Sequence, residues 1–97
     1  MIKREAGRFV IEGPITFASV RALLEAGRRE MATCDGEVRV DLSRVTEADS
    51  TAVSLLLHWL RDARRRGTAF AVLNPPQSVT GLARVYGVAE MLGLPDA

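Results

Sequence analysis

The stretch VDLSRVTEADSTAVSLLLHWL, Val40 to Leu60, holds both periodicities that decide the fold. Val38, Val40 and Leu42 alternate with Arg39 and Asp41, the period-two pattern of a strand over Val38 to Leu42. From Ala52 the pattern changes, because Val53, Leu56, Leu57 and Leu60 recur at helical spacing and predict a core-facing stripe. Ser43 to Asp49 reads as a polar connection between them. Arg64, Arg65 and Arg66 fall in the last turn of this helix with Gly67 just beyond. Cations there suit the helix dipole, and glycine suits a left-handed closing residue.

Upstream, Ile2 to Glu5 and Arg8 to Glu12 read as two short strands around an Ala6-Gly7 turn, the second ended by Gly13-Pro14. Thr16 is placed to cap a helix over Phe17 to Met31, with Phe17, Val20, Leu24 and Met31 as its apolar stripe. Asp35-Gly36 breaks the chain. Downstream, Ala69 to Leu73 is a continuously apolar strand that reads as buried on both faces. Asn74-Pro75-Pro76 turns the chain into a third helix over Gln77 to Tyr86, with Val79, Leu82, Ala83 and Tyr86 on its apolar side and Gly87 at its end. Val88 to Leu94 predicts one more helical turn.

The order β-β-α-β-α-β-α, with a helical crossover between Val38–Leu42 and Ala69–Leu73, predicts parallel strands in one sheet. The expected fold class is α/β: two layers, a mixed sheet of four to five strands, helices on one face, and residues 1–97 as one domain.

Composition bounds the function. With 97 residues, 47% hydrophobic and 26% charged, the chain reads as globular rather than disordered. Thirteen basic against twelve acidic residues leave a net charge of +1, so any basic site must be local. MIKREAGRF has no apolar stretch behind it and does not read as a signal peptide, and no apolar run is long enough to cross a bilayer. Cys34, the single cysteine, has no internal partner, which fits a reducing compartment. His58 has no metal-ligand spacing around it, no Gly-rich phosphate loop is present, and no nucleophile–base constellation is visible. The expectation is therefore a protein that is not an enzyme and holds no cofactor, no metal and no nucleic acid.

Two features point to a protein partner. Asp49, Ser50 and Thr51 stand at a helix start, where unpaired N–H groups and partial positive charge gather. Capping accounts for Asp49, while Ser50 and Thr51 are candidates for partner binding. Leu55 and Trp59, four apart, lie on the flank away from the predicted core stripe. They are either an interface anchor or a pair covered by the third helix.

The same stretch resembles the signature of the STAS domain family of sulphate transporters and anti-sigma factor antagonists. Val40-Asp41-Leu42-Ser43 matches the strand end, and Asp49-Ser50-Thr51-Ala52-Val53 matches the polar turn, with Ala52-Val53 where a glycine is common. Within the family, VDLSRV, LLLH, the basic helix end and LARVYGV look closest to the MlaB-type branch, the STAS subunit of Mla phospholipid-transporting ABC complexes. The resemblance implies binding to the cytoplasmic ATPase of such a complex, and through it to the permease, with the membrane reached only indirectly. It also implies a cytoplasmic position beside the inner membrane. The alternative it implies is an anti-sigma factor antagonist that binds an anti-sigma factor kinase and is phosphorylated at Thr51, or at Ser50.

Overall fold

A computed structural model describes residues 1–94. Four strands, β1 (Ile2–Glu5), β2 (Arg8–Ile15), β3 (Val38–Ala48) and β4 (Phe70–Leu73), lie in the order β1-β2-β3-β4. β1 pairs with β2 antiparallel, and β2–β3 and β3–β4 are parallel. Three helices, α1 (Val20–Met31), α2 (Thr51–Arg66) and α3 (Gln77–Val85), complete the two-layer α/β fold. The predicted order of elements and the mixed sheet are as found, with four strands among the described residues.

Local chemistry explains most of these boundaries. Ala6 and Gly7 both take positive φ, 49° and 77°, which matches a two-residue hairpin to the twist of its strands. Gly67 closes α2 at φ 72°, and its N–H donates to the Ala63 and Arg64 carbonyls. The core joins Phe9, Ile11, Val38, Val40 and Leu42 of the sheet to Leu23 and Met31 of α1, to α2, and to Val79 and Ala83 of α3. Val88 to Leu94 forms a turn in which the Leu92 N–H donates to the Val88 carbonyl, and it returns Leu92 and Leu94 to the core.

Several boundaries depart from the sequence expectation. β2 runs through Gly13-Pro14 to Ile15. β1 reaches only as far as the pair Ile2↔Ile11, so Pro14 has a strand on one side alone and its missing N–H leaves no ladder bond broken. Register shifts between Val10 and Glu12 and between Gly13 and Ile15 absorb the irregularity. β3 continues to Ala48 where a polar connection was expected. The added residues pair with that extended β2, Glu12↔Arg44 and Ile15↔Ala48, and Arg44 bonds Glu5 and Glu12 at 3.1 and 3.0 Å.

β4 is an edge strand, so its apolar residues are half-buried rather than enclosed on both faces. Helix α1 begins at Val20, not Phe17. The Thr16 carbonyl accepts from the Ser19 and Val20 N–H groups, so a turn precedes the helix, and Phe17 is 84% exposed. The buried line of α1 is Leu23, Gly27 and Met31, with Val20 and Leu24 at its margin. Tyr86, expected on the apolar side of α3, is exposed.

Candidate functional site

Asp49 builds the leading tip of α2. Its Oδ1 accepts from the Thr51 N–H at 2.9 Å and from the Thr51 hydroxyl. Its Oδ2 accepts from the Phe17 N–H at 3.0 Å, and its own N–H donates to the Ile15 carbonyl at 3.1 Å. One carboxylate thus satisfies donors at the helix start and ties the chain leaving β2 to it. The Thr51 hydroxyl and the Thr51 N–H hold the Asp49 carboxyl below its usual range against the opposing effect of burial, with the Phe17 N–H adding to them. The capping role expected of Asp49 is the one it has.

That clasp also holds Phe17. Its N–H donates to Asp49, and its side chain stands in solvent beside α2, in the turn that precedes α1. The Ser19 hydroxyl fixes the same turn, accepting from the Thr16 N–H at 3.0 Å and donating to the Pro14 carbonyl at 2.8 Å.

Two open depressions flank the tip. One, of about 250 Å³, is lined by Ser50, Thr51, Val53, Ser54, Leu57 and Tyr86. The other, of about 450 Å³, runs between α1 and α2 past Phe17, Val20, Leu24, Thr51, Ser54 and His58. Thr51 and Ser54 line both, so the hydroxyl ridge stands between two partly apolar grooves, one bordered by Phe17 and the other by Tyr86. Ser50 is exposed, and Thr51 is half-buried with its hydroxyl turned onto Asp49.

The other two expected contact residues are buried, Leu55 in the floor of the groove between α1 and α2. Leu55 is 0% and Trp59 1% exposed, so the expectation that they face outward is corrected. Helix α2 is covered on two sides. Its Val53–Leu56–Leu60 line meets the core, and its Leu55–Trp59 flank meets α1. The covering element is α1, not the third helix. The Trp59 indole N–H points to the Leu24 carbonyl at 3.4 Å, and the ring lies over Gly27, where an added Cβ would come within 2.3 Å. Leu57, expected in the core stripe, is half-buried beside the Tyr86 depression.

Sequence reasoning missed three residues around this arrangement. Phe17 and Tyr86 were assigned to the core. Gly27 was passed over, although a lone glycine on the line Leu23–Gly27–Met31 signals a close approach. It also missed the latch behind β3. Asp41, 3% exposed, receives Arg8 Nη1 at 3.0 Å, the Ser43 N–H at 2.9 Å and the Asn74 amide at 3.2 Å. Burial alone would raise its carboxyl, but the Ser43 and Asn74 hydrogen bonds and the Arg8 charge outweigh it and the net shift is downward. Among the described residues, no group of three or more His, Cys, Asp or Glu side chains is placed to hold a metal ion. No helix among them is long and apolar enough to cross a membrane.

A mixed four-stranded sheet beneath three helices, with a polar turn opening the second, is the architecture of a STAS domain. A family model described as "Mlab, STAS domain" matches residues 1–94, and the chain belongs to that family. Among solved structures, the anti-sigma factor antagonist SpoIIAA in its unphosphorylated form is similar at TM-score 0.71 and 15% identity, over 93% of this chain and 82% of that one. A sulfate transporter family protein from Wolinella succinogenes is similar at TM-score 0.67 and 20% identity, over 87% of this chain and 68% of that one. Mglu is similar at TM-score 0.58 and 26% identity over 77% of this chain, which spans only 19% of Mglu. No curated protein matches the sequence. The same fold is thus seen in an anti-sigma factor antagonist and in a sulfate transporter family protein.

Proposed function

We propose that this chain is a STAS subunit that binds the cytoplasmic ATPase of an Mla-type phospholipid-transporting ABC complex, and through it the permease. The observation that carries the reading is the MlaB family match over residues 1–94. The ridge of Ser50, Thr51 and Ser54, set between apolar grooves at the α2 tip, supports it as a surface for another polypeptide. Phe17 and Tyr86, 84% and 55% exposed, would be the aromatic anchors of that contact, a role that buried Leu55 and Trp59 cannot fill directly. The subunit acts by preferring one conformation of the ATPase and shifting its population by the affinity difference between the two states. Its place would then be cytoplasmic, at the inner membrane through its partner.

The second reading, an anti-sigma factor antagonist switched by phosphorylation, draws on the SpoIIAA-like fold. Phosphate on Thr51 would break the hydroxyl's bond to Asp49 and set two anions side by side, whereas phosphate on exposed Ser50 leaves the Thr51 hydroxyl free to keep that bond. One experiment separates the two. The chain is co-expressed with the Mla-type ATPase and permease, or incubated with an anti-sigma factor kinase and ATP. Co-purification that Thr51→Glu and Phe17→Ser each weaken upholds the transporter reading. Stoichiometric gain of one phosphate mass, with no ATPase retained, replaces it by the switch.

A further inference from the structure

We propose that the docking face does not stop at the hydroxyl tip but continues along the outer edge of α2 to Arg61 and Arg64, where it takes an acidic segment of the ATPase partner. The inference rests on the docking reading above for the partner's identity, and adds the chemistry of the partner's surface.

Ser50, Ser54, Leu57, Arg61 and Arg64 follow one another at alternating spacings of four and three, so they form a single line along the helix. All are exposed except Leu57, which is half-buried. At 1.5 Å per residue the line is roughly 20 Å long, enough to meet a helix or a groove wall of a partner.

The two cations on this line have no partner within the chain among the described residues. Around the sheet most cations are answered by carboxylates of the chain, Arg4 excepted, which lies over the Phe9 ring. Lys3 meets Glu12 at 3.3 Å, Arg8 meets Asp41 at 3.0 Å, Arg39 meets Glu37 at 2.7 Å, and Arg44 meets Glu5 and Glu12. Helix α2 carries four arginines against one aspartate, a net +3 in a chain whose total is +1. That aspartate, Asp62, is already engaged by Arg28 at 2.9 Å and Arg65 at 3.6 Å. Among the described residues, Arg61, Arg64 and Arg66 have no ion-pair partner and are exposed; so are Arg4, Arg21, Arg29 and Arg84, but those are spread over β1, α1 and α3, whereas Arg61 and Arg64 extend the line that begins at the hydroxyl tip.

The helix dipole explains cations in the last turn, Arg64 to Arg66. It does not explain Arg61, which lies before that turn, because the dipole's effect fades beyond it. Arginine's planar fork matches carboxylates two bonds at a time. A polypeptide fits better than a lipid surface, because the site is a narrow line. The exposed aromatic side chains Phe17 and Tyr86 border the grooves at its hydroxyl end, not its arginine end, whereas a membrane binder sets apolar groups beside its cations.

The test measures binding of the full chain to the purified Mla-type ATPase–permease complex at low and high salt. The variants are Arg61→Glu, Arg64→Glu, Thr51→Glu and, as a control on α1, Arg29→Glu. Unchanged melting curves establish that the three arginine reversals leave the fold intact, and Thr51→Glu is read only at temperatures well below its own melting transition. Arg61→Glu and Arg64→Glu are each expected to slow association by about tenfold at low salt, with the gap closing at high salt. Arg29→Glu is expected to match the unaltered chain. If Thr51→Glu weakens binding while both α2 reversals bind normally, the acidic contact is wrong and the docking reading stands. If the unaltered chain does not bind the complex, both fall. Loss of binding to phosphatidylglycerol vesicles alone, with ATPase binding kept, would reassign the arginines to lipid.

Discussion

Replacing Gly27 with alanine should destabilise the protein, although alanine is the better helix former. A Cβ at residue 27 would lie 2.3 Å from Trp59 Cζ2, 2.4 Å from Cε2 and 2.6 Å from Nε1. Carbon atoms in good contact sit about 3.5–4.0 Å apart, so the methyl group would overlap three ring atoms by more than about 1 Å. The ring has nowhere to go, since Trp59 is 1% exposed and enclosed between α1 and α2. Either the helices part or the indole leaves its rotamer, and overpacking of this kind costs about 1–3 kcal/mol, sometimes more. Against this stands a gain of about 1 kcal/mol from removing glycine inside a helix. With the ring so fully enclosed the steric term sits at the upper end, for a net loss of about 2 kcal/mol, on the order of 10 °C in melting temperature for a chain of this size. Urea and thermal unfolding followed by circular dichroism measure the loss. Fluorescence reports on the seam itself, because Trp59 is the only tryptophan. In a Trp59→Leu background the same Gly27→Ala change should become neutral or stabilising, since only the propensity gain remains, and the non-additivity should exceed about 1 kcal/mol. A melting temperature that is unchanged or raised by Gly27→Ala alone would refute the close α1–α2 seam.

Trp59→Ala should cost about 3–5 kcal/mol of stability, read by chemical denaturation, because it empties a core site rather than a surface anchor. A variant that is as stable as the parent would return Trp59 to the surface. Asp41→Ala strands the Ser43 N–H and the Asn74 amide around a buried position and removes the Arg8 pair, with an expected loss of about 2–3 kcal/mol. Unfolding midpoints that match the parent within error would show that the latch contributes nothing. The carboxyls of Asp41, Asp49 and Glu12 are all held below their ordinary values, so their contribution is complete above about pH 5 and is lost as pH falls through and below about 4. Urea midpoints flat from pH 7 to 5 and falling steeply below 4 are expected, and the fall should shrink in Asp41→Asn. An equal fall in that variant would remove Asp41 from the account.

Both the fold and the site were partly legible in the chain. Alternation over Val38–Leu42, helical spacing from Ala52, and the closing glycine at Gly67 are local signals, and each produced the element it predicts. The hydroxyl tip was legible for the same reason, since a run of Asp, Ser and Thr before an apolar segment is the local chemistry of a helix start. The errors fall where a distant segment decides. The polar residues of Ser43–Ala48 look like a loop until β2 supplies Glu12 to meet Arg44. Phe17 looks like a core residue of α1, but the turn that holds it, tied to Asp49 thirty-two residues away, leaves it in solvent.

What the sequence determined by itself was the order of elements, the mixed α/β class and the polar start of α2, because these follow from periodicity and from side chains acting on their own neighbourhood. Which flank of α2 faces water was decided only by tertiary packing. A helical wheel allots one buried stripe per helix, whereas this helix touches the sheet on one side and α1 on another. Gly27 lets that second contact close over Trp59. The exposed surface is therefore the remaining edge, from Ser50 to Arg64, with Phe17 and Tyr86 beside its hydroxyl end.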